Sequence, residues 1–285
     1  MTRAIHLAIA AVIGMASISP SAAGERAKNL PADAMQDFDD PQVRVCPNGI
    51  YEGGCDRGNI MDAVTTGDEL SADLGTTCLF QTKARCTPTA HGYIPASKFS
   101  GLIAWQHMEI YPDDGPRIEM LVITETESDR LTNIIAARQT EGWFGVPDVI
   151  ENSDRLLMIH APGRSGGTGA GNVDIVMTRH QMGWTAFDVN VYLEQASHLL
   201  PEGFELGRGA NFNFREMHAS VPVKRPHDGG CCATGGFAHI DLGLPRANWM
   251  QVDSITFEEM SPVNTHRIAA TENLMEYEDE STGEK

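Results

Sequence analysis

The sequence predicts a β-rich α+β protein with an antiparallel sheet, at least one packed helix at about residues 190–200, and an N-terminal subdomain stapled by disulfides. Three observations predict this class. Short segments of alternating apolar and polar residues recur along the chain and are separated by turn residues. One segment has helical spacing instead. Four of the six cysteines fall early in the chain, as in the disulfide framework of an exported protein.

Alternating segments define the strands of a predicted β-rich main domain, residues 96–261. Asp113, Asp114 and Gly115 provide typical turn residues between the first two candidates. Residues 130–138 are ambiguous, because helical spacing competes with a β-branched composition that favours a strand. The strand candidates are residues 105–111, 118–126, 146–151, 155–161, 173–179, 184–189, 212–223, 237–244 and 250–257.

The segment with helical spacing runs from residue 191 to residue 200. Asn190 can cap its start, and Pro201 ends it. One helical face would carry Leu193, Ala196 and Leu200.

The N-terminus has the three parts of a secretory signal peptide. Arg3 precedes a short apolar run over residues 4–16, and small residues follow at Ser21 and Ala23. The run is too short to be a permanent membrane helix. We therefore expect residues 1–23 to be a signal peptide cleaved near Ala23, and the mature chain to be periplasmic or secreted without a transmembrane anchor.

Composition divides the rest of the chain. Residues 24–45 are polar and acidic, which predicts a flexible leader. Residues 46–95 hold four cysteines and many Gly and Thr residues with little periodicity, which predicts a loop-rich, cysteine-containing subdomain. Residues 262–285 are acidic with few apolar residues, which predicts a disordered tail.

The charge of the chain restricts its partners. The sequence has 21 basic and 39 acidic residues, giving a formal net charge of −18 at pH 7. Such a surface repels nucleic acid, so we expect no nucleic-acid partner, and any charged partner should be cationic. The alternative is that the charge simply keeps the protein soluble.

Export makes disulfides the default state for the six cysteines, although spacing alone does not fix their pairing. Cys231 and Cys232 are adjacent, so a bridge between them would be strained. Three alternatives stay open: the two bridge each other, they pair with the early cysteines, or they remain thiols. The six are Cys46, Cys55, Cys78, Cys86, Cys231 and Cys232.

A glycine-rich segment, residues 163–172, holds the most suggestive motif. Gly163, Ser165 and Gly167 match the G-x-S-x-G pattern of serine hydrolases. That pattern needs a strand-to-helix turn, whereas this segment leads into a predicted strand, which argues against a catalytic Ser165. In a hydrolase the base would be one of His160, His180 and His218.

The same segment could instead hold an anion with its backbone N–H groups. It lacks the Gly-Lys-Ser/Thr ending of a phosphate loop. The simplest interpretation is a long hairpin loop. The candidate binding residues are Arg164, Ser165, Thr168 and Asn172.

A second set combines imidazoles and thiols, which suit zinc or copper(I). Its spacing matches no compact metal motif, and oxidising surroundings compete for the thiols. No dinucleotide, calcium or other cofactor motif occurs, so no cofactor is expected. The candidate metal ligands are His218, His227, Cys231, Cys232 and His239.

The C-terminal half resembles a group of exported proteobacterial proteins of unassigned function. The resemblance covers about a third of the chain, between residues 147 and 244, and implies a β-rich exported domain without implying a catalytic residue. Ala233 stands where the Cys-Cys turn of many periplasmic domains has proline. The residues that carry the resemblance are Ile159 to Gly163, Gly167 to Gly169, Gly171, Asn172, Trp184, Asp188, Leu200 to Gly203 and Gly229 to Gly236.

These observations favour an exported, soluble, non-catalytic domain that serves in binding or as an envelope accessory. Two alternatives remain at this stage. One is a secreted serine hydrolase using Ser165, and the other is a metal-binding protein using Cys231, Cys232 and nearby histidines.

Overall fold

The structure is a computed structural model of the chain. It describes residues 45–51, 55–65, 73–126, 132–167, 170–230, 232–260 and 265–269. Residues 1–44, which include the predicted signal peptide and most of the predicted leader, and residues 270–285 lie outside the described residues. Expectations for those segments stay predictions.

Sheet A consists of four strands in the order β1–β2–β3–β4, and each neighbouring pair is antiparallel. The hairpin predicted around residues 112–116 is confirmed by β2 and β3. The loop-rich interpretation of residues 46–95 is wrong for β1, which pairs along β2. The strands are β1 (Arg85–Ile94), β2 (Leu102–Tyr111), β3 (Ile118–Thr126) and β4 (Thr132–Thr140).

The helical alternative for residues 130–138 is wrong, because β4 occupies this segment. A β-bulge leaves Ile135 as the extra residue, since Ile123 pairs with Ala136 and Thr124 pairs with Ile134. Ile134 packs towards the N-terminal segment, whereas Ile135 is buried on the opposite side of sheet A. Burial on both faces removes the alternation that identifies a half-exposed strand. The spacing of the apolar residues in β4 therefore also fits a helix.

Sheet B forms the middle layer, in the order β10–β9–β7–β6. Both predicted hairpins are confirmed, β6 with β7 and β9 with β10. All five residues of β7 are buried, as expected for a strand covered on both faces. The strands are β6 (Asp148–Asn152), β7 (Leu157–Ala161), β9 (Ile175–His180) and β10 (Gly183–Phe187), and a two-stranded ribbon joins β5 (Trp143–Phe144) to β8 (Gly163–Arg164).

Sheet C has the order β11–β13–β14–β15–β16, with β12 also paired to β13. The candidates at residues 212–223, 237–244 and 250–257 lie in this sheet. The disordered-tail prediction is wrong for β16, which pairs with β15. The open edge of β15 offers backbone partners that composition does not reveal. The strands are β11 (Glu205–Leu206), β12 (Asn211–Asn213), β13 (His218–Lys224), β14 (Gly236–Arg246), β15 (Trp249–Glu259) and β16 (Thr265–Ala269).

The predicted helix is present as α2 (Val189–Ser197). It begins two residues earlier than expected, so its cap is Asp188, whose side chain accepts a hydrogen bond from the backbone N–H of Asn190 at 2.9 Å. Ala196 is buried in the same hydrophobic cluster that Leu193 and Leu200 contact, which confirms the predicted face.

The N-terminal subdomain contains a short helix, α1 (Arg57–Asp62), and two disulfides. Cys46 pairs with Cys55, and Cys78 pairs with Cys86. The subdomain covers one face of sheet A through a cluster of buried side chains that includes Val45, Ile60, Val64, Leu79, Phe80, Met108, Ile110 and Met120.

Three hydrophobic clusters show how the layers are stacked. The first lies between the N-terminal subdomain and sheet A. The second joins the other face of sheet A to sheet B, and the third joins the opposite face of sheet B to sheet C and α2. The order of layers is therefore N-terminal subdomain, sheet A, sheet B and sheet C.

Candidate functional site

The glycine-rich segment begins in β8 and returns to Asn172, which forms an antiparallel bridge with Arg164. Ser165 closes this loop on itself. Its N–H donates to the carbonyl of Gly171 at 3.0 Å, and its Oγ accepts from the N–H of Gly171 at 2.7 Å. The segment leads into β9, so the strand-to-helix turn of a serine hydrolase does not occur here.

Beyond the loop, Asp174 is the centre of a buried polar cluster. Its side chain is 2% exposed. Oδ1 lies 2.8 Å from Nε2 of His160, and Oδ2 accepts a hydrogen bond from Nδ2 of Asn172 at 2.9 Å. Nη1 of Arg164 lies 3.6 Å from the same Oδ2. The guanidinium charge of Arg164 therefore balances the carboxylate of Asp174 in a region with little water.

Asn172 connects this cluster to the segment that enters β12. Its Oδ1 accepts from the N–H of Ala210 at 2.9 Å, and its Nδ2 donates to the carbonyl of Ala210 at 2.9 Å. Arg164 also donates to the carbonyl of Ala210, and it donates to Oδ1 of Asn211 at 3.2 Å. Because Ala210 is fully buried, these side chains satisfy backbone groups that water does not reach.

Arg138, on β4, connects the cluster to sheet A. Its Nη1 donates to the carbonyl of Val173 at 3.1 Å and to the carbonyl of Asp174 at 2.7 Å. The ring of His160 packs edge-on against Phe214, with centroids 4.7 Å apart. Residues of all three sheets thus meet around Asp174. Each contact named here joins one strand or loop of the fold to another.

The three candidate bases lie apart from Ser165. His160 is paired with Asp174. His180 ends β9 at the opposite end of that strand from Asp174, and burial together with the charge of Arg179 lowers its pKa. His218 pairs with Asp241 at 3.3 Å on sheet C. Within the described ranges, no hydrogen bond joins Ser165 to a histidine.

The described members of the predicted metal-ligand set lie in two places, on the strands of sheet C and in the turn that joins two of them. His218 and His239 stack on neighbouring strands of sheet C, with ring centroids 5.5 Å apart. His227 and Cys232 lie in the turn between β13 and β14. The described residues contain no group of three or more His, Cys, Asp or Glu side chains placed to hold a metal ion. Cys231 lies outside the described residues.

Asp228 fixes the base of the turn that carries the cysteine pair. Its Oδ2 accepts from the N–H of Arg225 at 2.7 Å and from the N–H of Thr234 at 2.8 Å, and its Oδ1 accepts from the hydroxyl of Thr234 at 2.7 Å. The hydrogen bond from Arg225 and those from Thr234 lower the pKa of Asp228. Arg225 in turn donates to Glu259 of β15 at 2.8 Å. The two ends of the turn are therefore held together and tied to sheet C.

The sequence identified two members of the Asp174 cluster, Arg164 and Asn172, but assigned them to ligand binding. It missed Asp174 and the pairing with His160. The sequence did contain a signal. His160 on β7 and Asp174 just before β9 are polar residues at positions that the surrounding apolar pattern predicts to be buried. Thr168, the fourth proposed binding residue, lies outside the described residues.

A shallow depression of about 460 Å³ lies beside the Cys46–Cys55 bridge. It contains no member of the Asp174 cluster. Its lining residues are Cys46, Pro47, Asn48, Cys55, Asn59, Asp62 and Ala63.

The fold and this cluster together define a three-sheet β protein with a disulfide-stapled N-terminal cap. Comparisons of the chain with models of protein families, with curated proteins and with solved structures found no match. Among the described residues, no helix is long and apolar enough to cross a membrane.

Proposed function

We propose that the mature chain is an exported, non-catalytic protein of the bacterial periplasm or exterior that binds a partner or serves the envelope as an accessory domain. The signal-peptide pattern of residues 1–23 supports export. The two disulfides support an oxidising compartment, because such bonds are rare in the cytosol.

The Asp174 cluster supports a non-catalytic role most directly. A catalytic serine needs its hydroxyl within reach of a base that a third group orients. Here His160 is oriented by Asp174, but the hydroxyl of Ser165 accepts from Gly171 in its own loop. Arg164 and Asn172 are likewise used to hold Ala210. The polar groups around the glycine-rich segment therefore stabilise the fold.

The outer face of sheet C is the surface that we assign to the partner. Among the described residues, sheets A and B contribute to hydrophobic clusters on both of their faces, whereas sheet C does so on its inner face. On its outer face Phe237 is 44% exposed and the imidazoles of His218 and His239 stack. Glu258 adds a carboxylate beside them, and the net charge of −18 favours a cationic partner.

Photo-crosslinking in cells tests this surface. Phe237 is replaced by a photoreactive phenylalanine analogue in the full chain, and Tyr93 of β1, which is 45% exposed, serves as the matched control position. We expect a discrete crosslinked product in the envelope or secreted fraction from position 237 and none from position 93. Products of equal yield from both positions, or from neither, would contradict the proposal.

A further inference from the structure

Four loops, one or more from each sheet, meet at one end of the molecule, which we call the loop end. The β6–β7 turn adjoins the β9–β10 tip, because the start of β7 pairs with the end of β9. Side chains add the other two loops, since Nζ of Lys98 lies 3.5 Å from Oδ1 of Asp154 and the hydroxyl of Thr178 donates to the carbonyl of Ala247. The β3–β4 connection lies outside the described residues. The loop end consists of residues 95–101 between β1 and β2, 153–156 between β6 and β7, 181–182 between β9 and β10, and 246–249 at the tip of β14–β15.

The loop end displays apolar side chains that the fold leaves in water. Met182, at the tip of the β9–β10 hairpin, is 87% exposed, the highest value among the large apolar side chains of the described residues. Trp249 is 46% exposed, and Leu102, directly after the first loop, is exposed as well. Exposed apolar groups gathered in one region mark a contact with a partner or a membrane.

The loop end has a small positive charge, in contrast to the rest of the protein. Its loops contain three basic residues and one acidic residue, whereas the whole chain has 21 basic and 39 acidic residues. Lys98 pairs with Asp154, and Arg155 pairs with Glu151 of β6 at 3.6 Å. Arg246 is the third basic residue, and no ion pair with another described residue neutralises it. Acidic groups elsewhere on the surface are largely screened from this end, since the Debye length at physiological salt is about 8 Å.

Arg246 and Trp249 form a combination that suits the surface of a phospholipid bilayer. The guanidinium lies 5.2 Å from the centre of the indole ring, and both side chains are exposed. An indole has an apolar body and a polar N–H, so it favours the boundary between lipid tails and water. A guanidinium donates two parallel hydrogen bonds to a phosphate group.

The arrangement of these groups favours a membrane over a protein partner. A stable protein interface needs about 800 Å² of surface on each partner, packed continuously. The loop end instead carries its apolar side chains singly, with Met182 on one hairpin tip and Trp249 on another. Separate tips of this kind can insert independently among lipid headgroups, which form a fluid surface.

We propose that the loop end is a peripheral docking surface for membrane phospholipid, with Trp249 and Met182 among the headgroups and Arg246 at a lipid phosphate. It adds a second contact to the partner surface on sheet C, and it rests on the export part of the proposed function alone. The total charge of the chain predicts a cationic partner, whereas the local charge of the loop end permits an anionic lipid here. The contact is reversible, because only a few side chains enter the headgroup region.

Vesicle flotation with the full mature chain tests the proposal. The probe is vesicles of equal parts phosphatidylethanolamine and phosphatidylglycerol, and we expect the protein to float with them and to be partly released by added salt. Arg246→Glu should lower the partition coefficient at least about fivefold, since each basic residue near an anionic surface contributes about that factor. Lys83→Glu makes the same charge change at an exposed position at the other end of sheet A and should have little effect.

Two exposed tryptophans form a matched pair for locating the contact. The chain has four tryptophans, and Trp105 and Trp184 are buried. Trp143 of β5, which pairs with β8 beyond the other end of β7, is 47% exposed, compared with 46% for Trp249. Brominated phosphatidylglycerol quenches the fluorescence of indole rings that reach the lipid. We therefore expect quenching to persist in Trp143→Phe and to be lost in Trp249→Phe.

Three outcomes would overturn the membrane contact: no flotation with the anionic vesicles, equal quenching in the two tryptophan variants, or equal effects of the two charge reversals. The partner surface on sheet C is tested separately, because a crosslinked product from position 237 does not depend on vesicle binding. Loss of flotation together with a crosslink from Phe237 would reject the loop end alone.

Discussion

Asn172 and Ala210, 38 residues apart in the chain, are joined by a reciprocal pair of 2.9 Å hydrogen bonds. The side-chain amide of Asn172 thus binds the backbone of Ala210 as a neighbouring strand would. This contact holds the glycine-rich segment against the start of β12, and Asp174 and Arg164 surround it. Arg164 and Asn172, which the sequence suggested as ligand-binding residues, therefore hold sheet B against the segment that enters sheet C.

Replacing Asn172 by Ala should destabilise the protein by about 1–3 kcal/mol, because the buried N–H of Ala210 then has lost its acceptor. Urea unfolding monitored by circular dichroism measures the change. The exposed Asn133 of β4 provides the matched control, and Asn133→Ala should leave the midpoint almost unchanged. Equal losses for the two variants would contradict a structural role for the Asn172 amide.

Replacing Asp174 by Asn tests the charge at the centre of the cluster. The carboxylate lies beside Arg164 and His160 and is nearly fully buried. Its removal leaves the guanidinium of Arg164 without its buried counterion, so we expect a loss of about 3 kcal/mol in the free energy of unfolding. Asp154, whose side chain is 96% exposed in its pair with Lys98, is the control. Asp154→Asn should have no measurable effect.

Ser165→Ala separates the structural role of this serine from a catalytic one. The substitution removes the acceptor of the Gly171 N–H, so it should cost about 1 kcal/mol of stability. The wild-type protein should not be labelled at Ser165 by a fluorophosphonate probe. Labelling that disappears in Ser165→Ala would show that the hydroxyl is activated and would restore the hydrolase hypothesis.

The strands were predictable where one face is buried or a turn marks the boundary, as at β2 and β3. The pattern was insufficient at β4, where burial on both faces and the bulge at Ile135 removed the alternation. It also missed β16, because the backbone edge that this strand pairs with is formed by a distant part of the chain. Local composition does not encode such an edge.

The candidate site was predictable only as a set of polar residues. Asp174 and His160 are 14 residues apart, and Ala210 contributes backbone groups rather than a side chain. Contacts of this kind depend on how the sheets stack, so spacing along the chain does not reveal them. The pairing of the four early cysteines was likewise open in the sequence, and the structure gives it as Cys46–Cys55 and Cys78–Cys86.

His107 should make stability fall at mildly acidic pH. Burial lowers the pKa of His107 below its ordinary value of 6.5, against a smaller opposing effect of its hydrogen bond with Gly145. The unfolded chain therefore binds this proton at a higher pH than the folded protein does. The contribution of neutral His107 is complete above about pH 7 and is lost as the pH falls through the unfolded pKa towards the folded one.

The variant His107→Leu cannot take up this proton, so its free energy of unfolding should decline less between pH 7 and pH 5 than that of the wild type. Urea titrations across this pH range measure the difference. His227→Gln, at an exposed position in the β13–β14 turn, is the control. A parallel decline in wild type and His107→Leu would refute the role of His107.

Position 92 of β1 needs a glycine because the ring of Trp105 on β2 lies close against its backbone. A side-chain carbon at position 92 would lie 2.7 Å from Cζ2 and 2.8 Å from Cε2 of Trp105. The two strands are held in register at this point, since Gly92 pairs with Trp105. The rigid ring has little freedom to move, because Trp105 is 7% exposed within the cluster between sheets A and B. Gly92→Ala should therefore destabilise the protein by about 1–3 kcal/mol.

A double-mutant cycle shows whether the ring is the cause. Trp105→Phe alone should be destabilising, because it leaves a space in the core, but it makes room for the methyl group of Ala at position 92. The combined variant should then lose less stability than the sum of the single variants. Gly229→Ala, where a side-chain carbon meets open space, controls for the general effect of replacing glycine. If the losses at Gly92 and Trp105 were additive, the close approach of strand and ring would not account for the glycine.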